Sequence, residues 1–208
     1  CGVEIDEKIT ELAHEYFELS TDIPVVTYDG RAYLNAVTEK YDVIMVDAYQ
    51  DITIPFQMST QEFFALVKEH LTDDGVMVVN MNMHTEEEGN INQYLSDTIA
   101  GVFPEVYTVD VPGTTNRELF AAMGEGSLEK LSAGAEELAS QELREMMVQV
   151  SGALTPYEKG EYLLTDDKAP VELLGMQVID ELIQGELGYY REIFQEKGIE
   201  GVLEAGGF

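Results

Sequence analysis

Cysteine, histidine and positive charge are all scarce in this chain, and each shortage closes off a class of function. A single cysteine, Cys1, permits no internal disulfide and no cysteine-based zinc site. The three histidines, His14, His70 and His84, are scattered without ligand spacing, so no metal centre is expected. Eleven lysines and arginines stand against 41 acids, giving a formal charge of −30. Such a charge repels phosphate backbones and anionic lipid surfaces and attracts cations, so nucleic acid is not an expected partner. No apolar run approaches the ~18–20 residues needed to span a bilayer, and no basic start followed by an apolar core marks a signal peptide. No membrane contact is expected of this chain, and a cytoplasmic location follows by default.

What is present is the content of a folded domain: 45% of the 208 residues are hydrophobic. Strand-like and helix-like segments alternate over the first two-thirds. "CGVEID" reads as a strand, and "DEKITELAHEYF" follows with Ile9, Leu12, Ala13, Tyr16 and Phe17 at helical spacing. "PVVTY" is a second strand, ended by the turn pair Asp29-Gly30. "YDVIMVDAY" is a third, apolar on both faces as a central parallel strand should be. Ser59 or Thr60 caps a helix over "TQEFFALVKEHL" that exits at Asp74-Gly75. "GVMVVNMNM" is a strand and "NINQYLSDTIAGVF" a helix; "EVYTVDV" and "RELFAAMG" form a closing antiparallel pair. The order predicts an α/β sandwich with a mostly parallel sheet over residues 1–126. Residues 127–208 read as a helical extension packed on the same domain, fraying at the end, and no internal repeat is visible.

In open parallel sheets, ligands bind beyond the carboxyl ends of the strands. That rule selects a few acids out of 41. Glu4 and Asp6 end the first strand, Asp29 the second and Asp47 the third, so one crevice would be lined by all of them. An acid at such a strand end accepts both hydroxyls of a ribose, a role that fits Glu4. The alternative is that Glu4 and Asp6 simply begin the next helix, where acids favour the dipole. Asp-Gly at 29–30 is equally compatible with a plain turn. Asp47, directly after "VIMV", is expected to be buried enough for its pKa to rise toward that of a useful base, or else to cap a loop amide.

Several segments together resemble a known family. "CGVEIDEKITELAHEYF", "YDGRAYL", "YDVIMVDAYQDITIPFQMSTQEFFALVKEHLTDDGVMVVNM" and "LTDDKAPVE" look like the spermidine synthase family, the polyamine aminopropyltransferases, and nearest to its divergent spermidine synthase-like branch. The resemblance implies a Rossmann-like class I S-adenosylmethionine methyltransferase fold. It implies that Glu4 holds the ribose hydroxyls, Asp29 and Gly30 recognise the adenine edge, and Pro55 lies beside the nucleoside. It makes Asp47 the catalytic carboxylate and Asp51 the second loop acid that binds the polyamine. The implied donor is decarboxylated S-adenosylmethionine, the product methylthioadenosine, and the acceptor a diamine such as putrescine; no metal is implied. An amine attacks only when unprotonated, so Asp47 would accept its proton and fix its direction.

Two departures from the family pattern stand out. The loop acids are usually spaced D-x-x-D-P, whereas Asp47-Ala-Tyr-Gln-Asp51 has one extra residue and is followed by Ile52. The family also has a strand before "GVEID" and a glycine-rich loop after it, which this chain begins too late to contain. Without that strand, the flanking "GVEID" and "DVIMV" strands would have to pair directly or exchange with a second chain. The expectation is therefore a C-terminal piece of a longer polypeptide, inactive alone. Two other readings remain: a methyltransferase using ordinary S-adenosylmethionine, and a non-catalytic dimerisation or binding module offering the helix faces of "LREMMVQV" and "YYREIF". A homodimer is expected. Met77, Met81 and Met83 read as core filling and His84 as solvated. Asn116-Arg117 reads as a hairpin brace, and Asp166-Asp167 as a turn before Pro170.

Overall fold

Two sheets organise this protein, and the space between them sets up the site. The computed structural model describes residues 1–48, 54–82 and 88–205. The chain runs β1 (Gly2–Glu4), α1 (Glu7–Tyr16), β2 (Val25–Thr27), α2 (Gly30–Ala36) and β3 (Tyr41–Val46). A short 3-10 turn, Phe56–Met58, leads to α3 (Gln61–Glu69), β4 (Leu71–Met81), α4 (Ile91–Ala100), β5 (Glu105–Asp110) and β6 (Arg117–Ala122). Then come α5 (Ser127–Glu137), α6 (Gln141–Ala153), β7 (Thr155–Pro156) and the helical stretch α7 (Val171–Ala205), which is kinked at Gly198, where φ is 67°. β1 and β2 pair in parallel as a sheet of their own. The second sheet has the order β3-β4-β6-β5-β7, parallel between β3 and β4 and antiparallel elsewhere. The α/β order and the closing β5–β6 hairpin stand as the sequence reads, and Arg117 braces that hairpin through a fork onto Asp110.

The core lies where the five-stranded sheet meets α3 and α4. Met77, Val79 and Met81 point inward from β4 at period two, and Phe63, Phe64 and Val67 meet them from α3. Each such side chain contributes about 1.5–3 kcal/mol on burial. α3 starts where Thr60 accepts from the Phe63 amide at 3.3 Å, and α4 where Asn90 accepts from Gln93 at 2.9 Å. Leu164, Val171, Leu174 and Val178 from the C-terminal part join the same core.

Three expectations change. α3 stops at Glu69 rather than running to Asp74-Gly75, because Leu71 already pairs with Tyr41. The ladder then skips from Leu71 to Val76 while β3 advances only from Tyr41 to Val43, so residues 72–75 bulge out. Gly75 suits that bulge: a Cβ there would sit 3.0 Å from Leu71 Cβ and the Thr72 backbone, tighter than ordinary packing. The helical stretch after Gly126 is two helices, broken at Leu138 and restarted by Ser140, which accepts from Leu143 N. Third, β3 is an edge strand and not a flanked one: Val43 is 55% exposed and Met45 75%.

Direct pairing of β1 with β3, one of the two ways foreseen for closing the gap, does not occur. Their edges face a groove of about 470 Å³ lined by Gly2, Val3, Tyr41, Val43, Met45 and Met58 among others. Among the described residues, no helix is long and apolar enough to cross a membrane.

Candidate active site at the strand ends

Glu4 closes β1 and is half-buried, with Oε1 accepting from the Asp6 amide at 2.9 Å. Asp6, not Glu4, caps α1, accepting from Lys8 N at 2.8 Å. Glu4 is thus held at the strand end by one carboxylate oxygen. Tyr28 N donates to Glu4 O at 3.1 Å, which brings the end of β2 beside it. Asp29 follows immediately and is the N-cap of α2, its Oδ1 accepting from Ala32 N at 2.8 Å. Asp29-Gly30 is therefore a helix start, not a free turn. Gly30 packs toward Met58: a Cβ on it would lie 3.4 Å from Met58 Cε. Pro55 opens the 3-10 turn, its carbonyl accepting from Met58 N at 2.9 Å, so the expected nucleoside residues Asp29, Gly30 and Pro55 come together.

Asp47, the acid expected to serve the amine, lies on the other sheet. Asp47 follows β3 directly and accepts from Asn80 Nδ2 at 3.1 Å. It is exposed, so the burial foreseen for this carboxylate is absent: β3 lies at the sheet edge, and its face carrying Val43, Met45 and Asp47 is open among the described residues. Asp51 and His84 lie outside the described residues.

One acid was missed. Val46 pairs with Val79, and Asn80 pairs with Glu118 directly across β4 and β6. Val79 and Leu119 point into the core, so Asn80 and Glu118 point to the opposite face, and Asp47 reaches the same row. Strands lie about 4.8 Å apart, so Asp47, Asn80 and Glu118 form a line across three strands. Burial, and then the charge of Asp47, push the Glu118 carboxyl up. The sequence signal was faint: Glu118 follows Arg117 ahead of the apolar run Leu119–Ala122, and which acid it neighbours depends on the β4–β6 register.

A strap from Tyr157 to Lys168 crosses behind the site. Buried Asp97 accepts from Tyr157 Oη at 2.7 Å, Gly160 N at 2.9 Å and Tyr162 N at 3.0 Å. Burial first, then the bond to Asp97, push the Tyr157 phenol up. Only glycine fits at 160, because a Cβ would run into the Asp97 carboxylate. Further along, Arg31 forks onto both oxygens of Asp166, at 2.7 and 2.6 Å, and holds that carboxyl below its ordinary value. Asp166, read from sequence as a turn residue, is thus tied to the helix that starts at Asp29. Among the described residues, no three His, Cys, Asp or Glu side chains gather as a metal-ligand set.

Comparisons with known proteins bear on the family and the fold. The chain is 53% identical over 221 residues to the probable polyamine aminopropyl transferase of Bifidobacterium longum, across 98% of this chain and 50% of that protein. It therefore spans about half the length of that relative. Human methyltransferase-like protein 13, solved in complex with SAH, superposes with a TM-score of 0.55 at 24% identity, over 76% of this chain and 72% of its own. Spermidine synthase from Thermotoga maritima gives a TM-score of 0.55 at 18% identity, over 70% of this chain and 55% of its own. The fold is the class I methyltransferase-like fold that these two structures share. A family model described as the spermine/spermidine synthase domain matches residues 2–130, more than half the chain and the stretch that carries every strand-end acid named above, and this chain belongs to that family.

Proposed function

We propose that this chain carries the nucleoside and amine sites of an aminopropyltransferase, which moves the aminopropyl group of decarboxylated S-adenosylmethionine to a diamine such as putrescine. The observation that carries the reading is the division of acids between the two sheets: Glu4 and Asp29 at the ends of β1 and β2, and the row Asp47, Asn80 and Glu118 on β3, β4 and β6. Glu4 has a second carboxylate oxygen for ribose hydroxyls, and Asp29 has one for the adenine edge. The sulfonium of the donor makes its aminopropyl carbon electrophilic. Asp47, oriented by Asn80, takes the proton from the attacking nitrogen as the C–N bond forms and the C–S bond breaks, leaving neutral methylthioadenosine. Glu118, and Asp51, which follows Asp47 by four residues in sequence, receive the ammonium at the far end of the diamine through charge-assisted hydrogen bonds. An ordinary S-adenosylmethionine donor carries its own carboxylate, which this row repels, so a methyltransferase is the weaker reading. The 53% identity to a protein named for aminopropyl transfer supports the first. A second copy is the expected protein partner, docking on the exposed apolar side chains of α7 such as Met176, Leu187 and Phe194.

The test is calorimetry on this chain with methylthioadenosine, decarboxylated S-adenosylmethionine and S-adenosylmethionine, repeated with Asp29→Ser. Serine still caps a helix, so a loss of affinity reports the site rather than α2. Micromolar binding that favours the decarboxylated donor and weakens at least tenfold in Asp29→Ser is expected. Absence of binding to all three sinks the reading and leaves a non-catalytic module. Preference for S-adenosylmethionine selects the methyltransferase.

A further inference from the structure

We propose that Arg31 and Asp166 are positioning residues of the nucleoside site, a polar latch that fixes the first turn of α2, with Asp29 and Gly30 on it, against the larger sheet; this rests on the nucleoside reading of that turn. The need for a latch follows from the topology. β1, β2 and α2 share no strand ladder with the five-stranded sheet, so the acids that would hold the nucleoside and the acids that would hold the amine sit on separately bonded units. A misplacement of about 1 Å at the reacting atoms can cost roughly a hundredfold in rate, so something must set the distance between the two.

Arg31 lies two residues after Asp29 and spans the boundary. Its Nη1 donates to Asp166 Oδ1 at 2.7 Å and to Gln57 O at 3.0 Å, and its Nη2 to Asp166 Oδ2 at 2.6 Å. Gln57 belongs to the turn opened by Pro55, so one guanidinium joins the start of α2 to that turn, the two segments of the expected nucleoside contact. Asp166 in turn accepts from Thr60 Oγ1 at 2.7 Å, the residue that caps α3. Asp166 N donates to Glu62 Oε2 at 3.0 Å, and Gln61 N donates to Leu164 O at 2.9 Å. Leu164 is fully buried and its amide donates to Thr98 Oγ1 at 2.9 Å, so the strap that carries Asp166 is anchored to α4. An isolated exposed ion pair contributes little, but this one is bidentate and shares its carboxylate with a helix cap. Lysine cannot reproduce it, because an ammonium has no planar fork. Neither side chain is assigned a contact with the nucleoside.

The test uses the full chain with Arg31→Met, Arg31→Lys, Asp166→Asn, the double variant, and the exchanged pair Arg31→Asp with Asp166→Arg. Methylthioadenosine affinity is measured by calorimetry, and amide hydrogen exchange is followed at Ala32 and Tyr33, whose amides bond to Asp29. Arg31→Met and Asp166→Asn should each weaken binding roughly tenfold and speed exchange at those two amides. The double variant should be no worse than either single, Arg31→Lys should be intermediate, and the exchanged pair should recover part of the affinity. Parent-like binding in both single variants overturns the latch, as does independent addition of their effects. Faster exchange spread equally over β4 and β6 marks general destabilisation and also overturns it. If the parent does not bind methylthioadenosine, the nucleoside reading falls and exchange decides alone: faster exchange confined to α2 in Arg31→Met upholds the latch, and unchanged exchange overturns it.

Discussion

The two sheets of this protein bury their residues to different depths. On β4 and β6, Met77, Val79 and Leu119 are fully buried under α3 and α4. On the smaller unit, β1, β2 and α1 have no fully buried residue, and α2 has Leu34 alone. Ile5 is 70% exposed and Phe17 80%. Local chemistry holds the elements of the smaller unit, through the caps Asp6 and Asp29, while burial does little to hold the unit in place. On the proposed reading, one site is split between a well-packed half that carries the acids for the amine and a lightly packed half that carries the acids for the nucleoside.

The largest expected effect comes from removing residues 127–208. We infer that this part folds with the rest, since β7 extends the five-stranded sheet and Leu164, Val171 and Val178 sit in its core. A chain of residues 1–126 should lose cooperative thermal unfolding altogether; a sharp transition for it would separate the two parts and break the idea of one core. Next in size, Phe64→Ala should cost about 3–5 kcal/mol in denaturant unfolding. Val26→Ala, on β2, should change stability by no more than about 0.5 kcal/mol. Similar costs at both positions would erase the contrast between the sheets.

The smallest effect sharpens the comparison from the polar side. The Glu118 carboxyl is raised from the ordinary 4.5 by burial and by Asp47, so its ionised form is disfavoured in the folded chain. Its contribution to stability is therefore greatest below pH 4.5 and is lost as the pH rises through the raised value. Glu118→Gln should raise Tm modestly at pH 7 and do nothing at pH 4. A gain that is the same at both pH values would show that Asp47 and burial do not act on Glu118. The same substitution should weaken diamine binding and spare methylthioadenosine.

The legible part of the fold was that set by local pattern. The apolar run in "GVMVVNMNM" gave β4, a cap at Ser59 or Thr60 gave α3, and acids at strand ends gave Glu4, Asp29 and Asp47. The exposure of β3 was not legible, because "VIMV" looks the same whether one or two neighbours cover it. Asp166 looked like a turn residue because its partner, Arg31, is 135 residues away in sequence. Glu118 looked like one more acid in a hairpin until the pairing of Asn80 with Glu118 set it in line with Asp47.

By itself, then, the sequence determined the order of strands and helices over residues 1–126 and the residue types at the strand ends, since periodicity, capping and carboxylate character act within a few residues. Only the tertiary structure decided that the strands fall into two sheets, that Glu118 joins Asp47, and that Arg31 closes on Asp166. Those outcomes depend on strand register and on contacts between distant segments, which short-range preferences do not encode.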